Sequence, residues 1–151
     1  MTNSQPRFLR PSGFERFINR IMGMLVGWGL GLSHNYLLQV RGRRTGRIYS
    51  TPVNIVDHRG KRFLVAPRGE AQWVRNARAS GEVWLKKGAT RLHYAVRPLA
   101  NQEKPEILRE YLSRYKATVQ RYFSVAPGAT DEAFTAISPD YPVFELLQKE
   151  P

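Results

Sequence analysis

Apolar residues recur along this chain at two different periods, and the changes between them divide it into three parts. Phe14, Phe17, Ile18, Ile21 and Leu25 lie three or four residues apart, the spacing of one helical face. Ser12, with Glu15 three residues on, forms a capping box at the start of that helix. From Tyr36 the period falls to two. Tyr36, Leu38 and Val40 alternate with Leu37, Gln39 and Arg41, as in a strand with two differently used faces. Residues 51–57 predict a second strand, with Pro52 near its start, where a missing donor is tolerated. His58-Arg59-Gly60-Lys61 predicts a turn and residues 62–67 a third strand. A short helix follows over 71–79, ended by Ser80-Gly81. Residues 82–87 and 91–98 then form a hairpin around Lys87-Gly88-Ala89.

The last third returns to helical spacing. Pro105 suits a first helical turn, and Ile107, Leu108, Tyr111, Leu112, Tyr115, Val119, Tyr122 and Phe123 form one stripe. Pro127-Gly128 ends it, a short helix is predicted over 131–137, and 141–148 reads as a last strand. Five or six meandering strands with helices at both ends define an α+β class, best satisfied by a small antiparallel barrel. At 151 residues, with no repeat or linker, the chain reads as a single domain over 1–151 that includes a helical segment over 1–34.

Charge sharpens this picture. The formal net charge is +12, and residues 1–97 carry 18 basic against 4 acidic side chains while residues 98–151 carry 6 against 8. The positive field therefore sits with the strands and selects a polyanionic ligand, a nucleic acid or an anionic membrane surface. The absence of cysteine excludes disulfides, thiolate metal sites and cysteine nucleophiles, and nothing demands an oxidising compartment. Residues 21–32 form an uncharged run of twelve behind Arg7, Arg10, Arg16 and Arg20. The run falls short of the ~20 residues that span a bilayer, and Ser33-His34-Asn35 is a poor leader cleavage site. A helix packed on the domain is the first reading, and a helix lying at the membrane surface the second. The expected location is cytoplasmic, with the second reading putting it peripheral to the inner face of the membrane.

Much chemistry is missing. His34, His58 and His93 are widely separated, so no metal is expected. No Gly-x-Ser-x-Gly elbow anchors a serine triad, and Gly27, Gly29 and Gly31 follow no strand. Any enzymatic chemistry would come from a bound cofactor. The richest stretch is the turn after the first strand, where Arg41, Arg43, Arg44 and Arg47 stand within seven residues around Gly42 and Gly46. Guanidinium groups and free backbone N–H groups on a tight turn suit a phosphate or carboxylate.

Gly42-Arg43-Arg44-Thr45-Gly46-Arg47, then Thr51-Pro52-Val53, Phe63-Leu64-Val65 and Gln72-Trp73-Val74-Arg75-Asn76-Ala77-Arg78-Ala79, resemble the deazaflavin-dependent nitroreductase family of nitro- and quinone reductases. The resemblance runs through residues 14–99, and more loosely to Tyr141-Pro142-Val143-Phe144. It implies a split antiparallel β-barrel of the flavin-reductase and pyridoxamine-oxidase type. It also implies coenzyme F420, a 5-deazaflavin whose tail carries a phosphate and glutamates, and hydride transfer to a quinone, nitro compound or other electron-poor small molecule.

By the same resemblance Arg43, Arg44 and Thr45, with Arg41, Gly46 and Pro52 beside them, grip the coenzyme's phosphate and tail. Ala66, Pro67, Arg68 and Gly69 lie near the deazaflavin ring, and Trp73, Asn76 and Arg78 close the site from a helix. Tyr115 and Tyr122, seven apart and so on one helical face, are candidates for the acceptor pocket. The chain departs from some members at Tyr49, where they carry a further arginine, and in a shorter loop between Gly69 and Trp73. The nearest rival cofactor is flavin mononucleotide. Nucleic-acid binding is not expected, because the arginines cluster on one turn and lack interleaved aromatics. A cofactor- or lipid-sequestering role remains a third class.

Overall fold

The computed structural model describes residues 35–150. The expected N-terminal helix, and with it the membrane reading, lies outside the described residues. Among the described residues no helix is long and apolar enough to cross a membrane. Six strands, β1 (Asn35–Arg41), β2 (Ile48–His58), β3 (Lys61–Val65), β4 (Glu82–Lys87), β5 (Thr90–Pro98) and β6 (Val143–Gln148), form a closed antiparallel barrel in the order β1-β2-β3-β6-β5-β4. Among the described residues four α-helices accompany them: α1 (Gln72–Ser80), α2 (Lys104–Arg114), α3 (Lys116–Val119) and α4 (Asp131–Ile137).

The two hairpins follow from turn chemistry. Arg59 and Gly60 both take positive φ, 53° and 78°, the two-residue turn whose twist matches the flanking strands. Gly88 at φ 61° serves the β4–β5 turn. The barrel is not the simple meander that adjacent strands suggest. β3 and β4 do not pair, and β6 inserts between β3 and β5, with Leu64 opposite Phe144 and Val96 opposite Leu146. This placement covers β6 on both faces, and residues 143–146 are all buried.

Alternate residues therefore feed two cores. Leu38, Val40, Ile55, Leu64, Leu85 and Phe144 fill the barrel, where Val74 and Ala77 of α1 join them. Val56, Phe63, Val65 and Val143 face outward under a cap made by Leu108, Tyr111, Leu112, Tyr115, Phe123, Phe134 and Tyr141.

Two local expectations change. Pro52 sits within the longer β2, opposite Leu37. β3 pairs only with residues Ile55 to His58 of β2, so Pro52 occupies the stretch with a single neighbouring strand and its missing donor costs little. The predicted single stripe over 105–123 is also not one helix. Tyr115 leaves helical geometry at φ −115° and ψ 27°, and a short α3 and a 3-10 turn over Gln120–Tyr122 follow. No proline or glycine stands there. The Tyr115 hydroxyl instead donates to the Ile55 carbonyl at 2.6 Å, and the break keeps Val119 and Phe123 on the core, a tertiary override of helical propensity.

Candidate functional site

The basic turn between β1 and β2 is built by its own backbone and then tied to α1. Gly42 N–H donates to the Arg47 carbonyl at 2.6 Å and Gly46 N–H to the Gly42 carbonyl at 3.0 Å. Gly46 has φ 75°, which a side chain would strain. At Gly42 an added Cβ would come within 2.6 Å of the Tyr49 ring. Tyr49 thus covers the turn, and its hydroxyl meets Thr45 Oγ1 at 3.2 Å. That same oxygen accepts from Arg47 N–H at 3.1 Å, so Thr45 is a brace of the turn.

The link to α1 runs through Asn76. Its Oδ1 accepts from the Arg43 backbone N–H at 3.0 Å and from the Arg43 guanidinium at 2.7 Å. Asn76 is buried. Gln72, one helical turn earlier, accepts a second bond from Arg43 at 3.0 Å. Partial burial, and then the neighbouring Arg44 and Arg75, lower the Arg43 pKa from its ordinary value. Arg41 donates to the Gly46 carbonyl at 3.2 Å and lies over Trp84. The side chains of Arg44, Arg47 and Arg75 make no hydrogen bond or ion pair with another described residue.

Across the start of α1 lies a second feature. β3 ends at Val65, and the chain turns through Ala66, whose N–H donates to the Pro142 carbonyl at 2.9 Å, and Gly69 at φ 85°. Pro67, Arg68, Gly69, Tyr122, Asp140 and Tyr141 line an open pocket of about 430 Å³. The Tyr122 ring has the Arg68 guanidinium 5.9 Å from its centroid and that of Arg121 at 4.8 Å. Arg121 also donates to the Tyr122 hydroxyl at 2.7 Å. Behind it Tyr141 donates its hydroxyl to the Tyr122 carbonyl and stacks on Phe123 at 4.4 Å.

The residues singled out from sequence therefore divide. Arg41, Arg43, Arg44, Thr45 and Gly46 share the turn, Asn76 holds it, and Pro67, Arg68, Gly69 and Tyr122 share the pocket. Ala66 is buried in the barrel core. Trp73 is half-buried with its ring 6.1 Å from that of Phe144. Pro52 lies on the exposed stretch of β2 and is not among the residues that line the pocket. Tyr115 does not reach the pocket: it is 4% exposed, and its hydroxyl is engaged under the cap. Arg78 is forked onto Glu70 at 2.9 and 3.0 Å, its pKa raised first by that bond.

Gln72, Arg75, Asp140 and Tyr141 were not among the expected site residues. Helical geometry contained part of the signal, because 72, 75 and 76 share a face that 78 does not.

Three comparisons bear on this arrangement. The model of the F420H(2)-dependent quinone reductase family matches residues 14–128. A search of curated proteins finds no match. Among solved structures, the F420-H2 dependent reductase FDR-A is 21% identical, with a TM-score of 0.51 over 75% of this chain and 93% of that one. Atu2129 from Agrobacterium tumefaciens is 18% identical, with a TM-score of 0.58 over 97% and 60%. A FAD-binding protein from Mesorhizobium loti is 11% identical, with a TM-score of 0.52 over 86% and 89%. At these identities the structures establish the split-barrel fold.

Proposed function

The chain belongs to the F420H(2)-dependent quinone reductase family and is an F420-dependent oxidoreductase, and on that premise we propose that it reduces a flat, electron-poor quinone or nitro compound lodged against Tyr122. The observation that carries this reading is adjacency. The open pocket ends at Gly69, and Gln72, three residues along the chain, touches Arg43 of the basic turn. A coenzyme with its tail on the turn and its ring at the 66–69 strand end would therefore present that ring to the pocket.

The residues fit the coenzyme on charge. Arg44 and Arg47 have no anionic partner among the described residues, and Arg43 is held by two neutral amides. The wall is left cationic for a phosphate and glutamates, and charge-assisted bonds of ~1.5–3 kcal/mol each make two or three sufficient.

When bound, the reduced deazaflavin supplies a hydride. The protein's part is placement and electrostatics. Gly69 has no side chain to hold a ring off the strand end. Tyr122 offers a flat face that would orient the acceptor, because hydride transfer requires reacting atoms ~3–3.5 Å apart. Arg68 faces the oxygen that gains negative charge. The Tyr122 hydroxyl accepts from Arg121, which holds the ring against which the acceptor would lie.

Two measurements test this. Equilibrium titration should show coenzyme F420 binding more tightly than flavin mononucleotide, whose single phosphate uses less of the cationic wall. Equal or reversed affinity would remove the tail from the turn. Tyr122→Leu should change turnover and the preference among quinones and nitro compounds, with F420 affinity kept within about threefold. Unchanged rates with every acceptor would move the acceptor elsewhere.

A further inference from the structure

We propose that Asn76 is a positioning residue that fixes the basic turn without neutralising it, and that Arg75 completes the cationic wall on α1, a role Arg78 does not share. The inference rests on the reading of the turn as the site of the coenzyme's anionic tail.

The geometry of Asn76 is specific. One buried amide oxygen receives both the main chain and the guanidinium of Arg43, at 3.0 and 2.7 Å. A single side chain on α1 thereby sets the position of the turn's backbone and of its first inward arginine. An aspartate would offer the same oxygen and form a stronger bond to the guanidinium. It would also cancel a positive charge beside the place where an anion must bind. A neutral acceptor gives the geometry and leaves the field. Where charge is not needed the helix is tied by a carboxylate, since Glu70, just ahead of α1, is forked onto Arg78 at 2.9 and 3.0 Å.

Arg75 falls on the other side of that division. Positions 72, 75 and 76 are spaced i, i+3 and i+4, and two of them already bond Arg43. Arg75 is exposed and close enough to Arg43 to oppose its charge. Glu70 also feels Arg75 but is spent on Arg78. Three guanidinium groups, Arg43, Arg44 and Arg75, thus lie close together from two elements, and the two acceptors that hold Arg43 are neutral. Such mutual repulsion is relieved when an anion with several charges binds between them.

The test is calorimetric titration of coenzyme F420 against the full chain at several salt concentrations, with thermal midpoints measured alongside. Asn76→Asp should fold with an unchanged or higher midpoint, lose affinity on the order of tenfold, and show a flatter salt dependence. A merely structural residue would not shift the salt slope when its acceptor is conserved. Arg75→Gln should lose affinity by a similar factor with its midpoint unchanged, whereas Arg78→Gln should bind as the parent does.

Parental affinity and salt slope in Asn76→Asp, or equal losses in Arg75→Gln and Arg78→Gln, would overturn the inference. Should Asn76→Asp fail to fold, the Arg75 and Arg78 pair decides it. Arg44→Ala separates the two levels. If it weakens binding while Asn76→Asp and Arg75→Gln do not, this inference alone has failed. If it too has no effect, the tail lies elsewhere and the underlying reading has failed with it.

Discussion

The two regions that flank the start of α1 are held together by different forces. On one side the basic turn is exposed, bonded through amides, and leaves arginine charge without a counter-ion among the described residues. On the other side the helical cap is apolar, and two of its buried hydroxyl groups are consumed internally, Tyr115 on the Ile55 carbonyl and Tyr141 on the Tyr122 carbonyl. Unspent polar capacity marks the surface prepared for a ligand, and spent capacity marks scaffold. The same rule divides residues of one type. Tyr122 faces the pocket while Tyr115 supports the barrel; Arg75 stays available while Arg78 is paired.

The comparison would break most visibly in the cap. Phe134 on α4 is fully buried in the outer core, under the Arg109 guanidinium at 4.7 Å from its centroid. Phe134→Ala should cost about 3–5 kcal/mol, the usual toll of deleting a buried ring, and lower the thermal midpoint by roughly 2–4 °C per kcal/mol. The molecules that stay folded should bind coenzyme F420 normally, since no turn residue touches this core. Denaturant melts with an unchanged slope check the first statement. A loss below ~1 kcal/mol would mean that the cap is not the stabilising half.

A smaller effect isolates one bond. Tyr115→Phe removes the hydroxyl that satisfies the Ile55 carbonyl and leaves that acceptor buried, at a cost of about 1–3 kcal/mol. Burial first of all pushes the Tyr115 pKa from 10.0 up to about 12. The folded state thus favours the neutral phenol. This contribution is fully present below pH 10, where both states are neutral. It is lost as pH rises from 10 towards 12, because the unfolded chain ionises first. The parent should therefore lose more stability than Tyr115→Phe across that window, with some decline persisting in the variant from Tyr111, which burial also raises. Identical slopes would show that the hydroxyl titrates freely and is not held under the cap.

These contrasts bear on what a sequence discloses. Period-two alternation located β4 and β5 almost to the residue, and Ser80-Gly81 located the end of α1, because those signals are local: Gly81 sits at φ 75° and donates to the Ala77 carbonyl at 2.8 Å. The entry of β6 between β3 and β5 was not local. A strand buried on both faces reads as an apolar run, and only the assembled barrel shows where it pairs.

The site followed the same division. The arginine turn was legible from composition alone as a cluster of cationic groups, whereas the pairing of Arg78 with Glu70 and the tie from Asn76 to Arg43 were visible only in the fold. Tyr115 and Tyr122 looked equivalent on an unbroken helix. The break at Tyr115 removed that equivalence, and its cause is a hydrogen bond sixty residues away in sequence.

The smallest expected effect belongs to the paired arginine and sharpens the division within α1. Glu70 and Arg78 form a two-pronged bond, but their side chains are 48% and 46% exposed. Solvent screening therefore limits the pair to about 0–1 kcal/mol in spite of its good geometry. The bond from Arg78, opposed by slight burial and assisted by its charge, holds the Glu70 carboxyl below its ordinary 4.5. A carboxyl depressed in the folded state contributes its stability above the unfolded value and loses it as pH falls through the folded one. Glu70→Gln keeps the bulk and removes the charge, so it should destabilise by less than about 1 kcal/mol at neutral pH. The difference from the parent should shrink as the solution is acidified below 4.5, and again in high salt at neutral pH. Coenzyme F420 affinity should stay at the parental level or rise slightly, because one negative charge has left the neighbourhood of Arg75. Paired denaturation curves at neutral and acid pH, with one calorimetric titration, measure all three. A loss above ~2 kcal/mol would make this pair part of the scaffold on the scale of the cap. A marked fall in coenzyme affinity would instead return Glu70 and Arg78 to the site, and the line drawn along α1 between charge that is spent and charge that is kept would no longer hold.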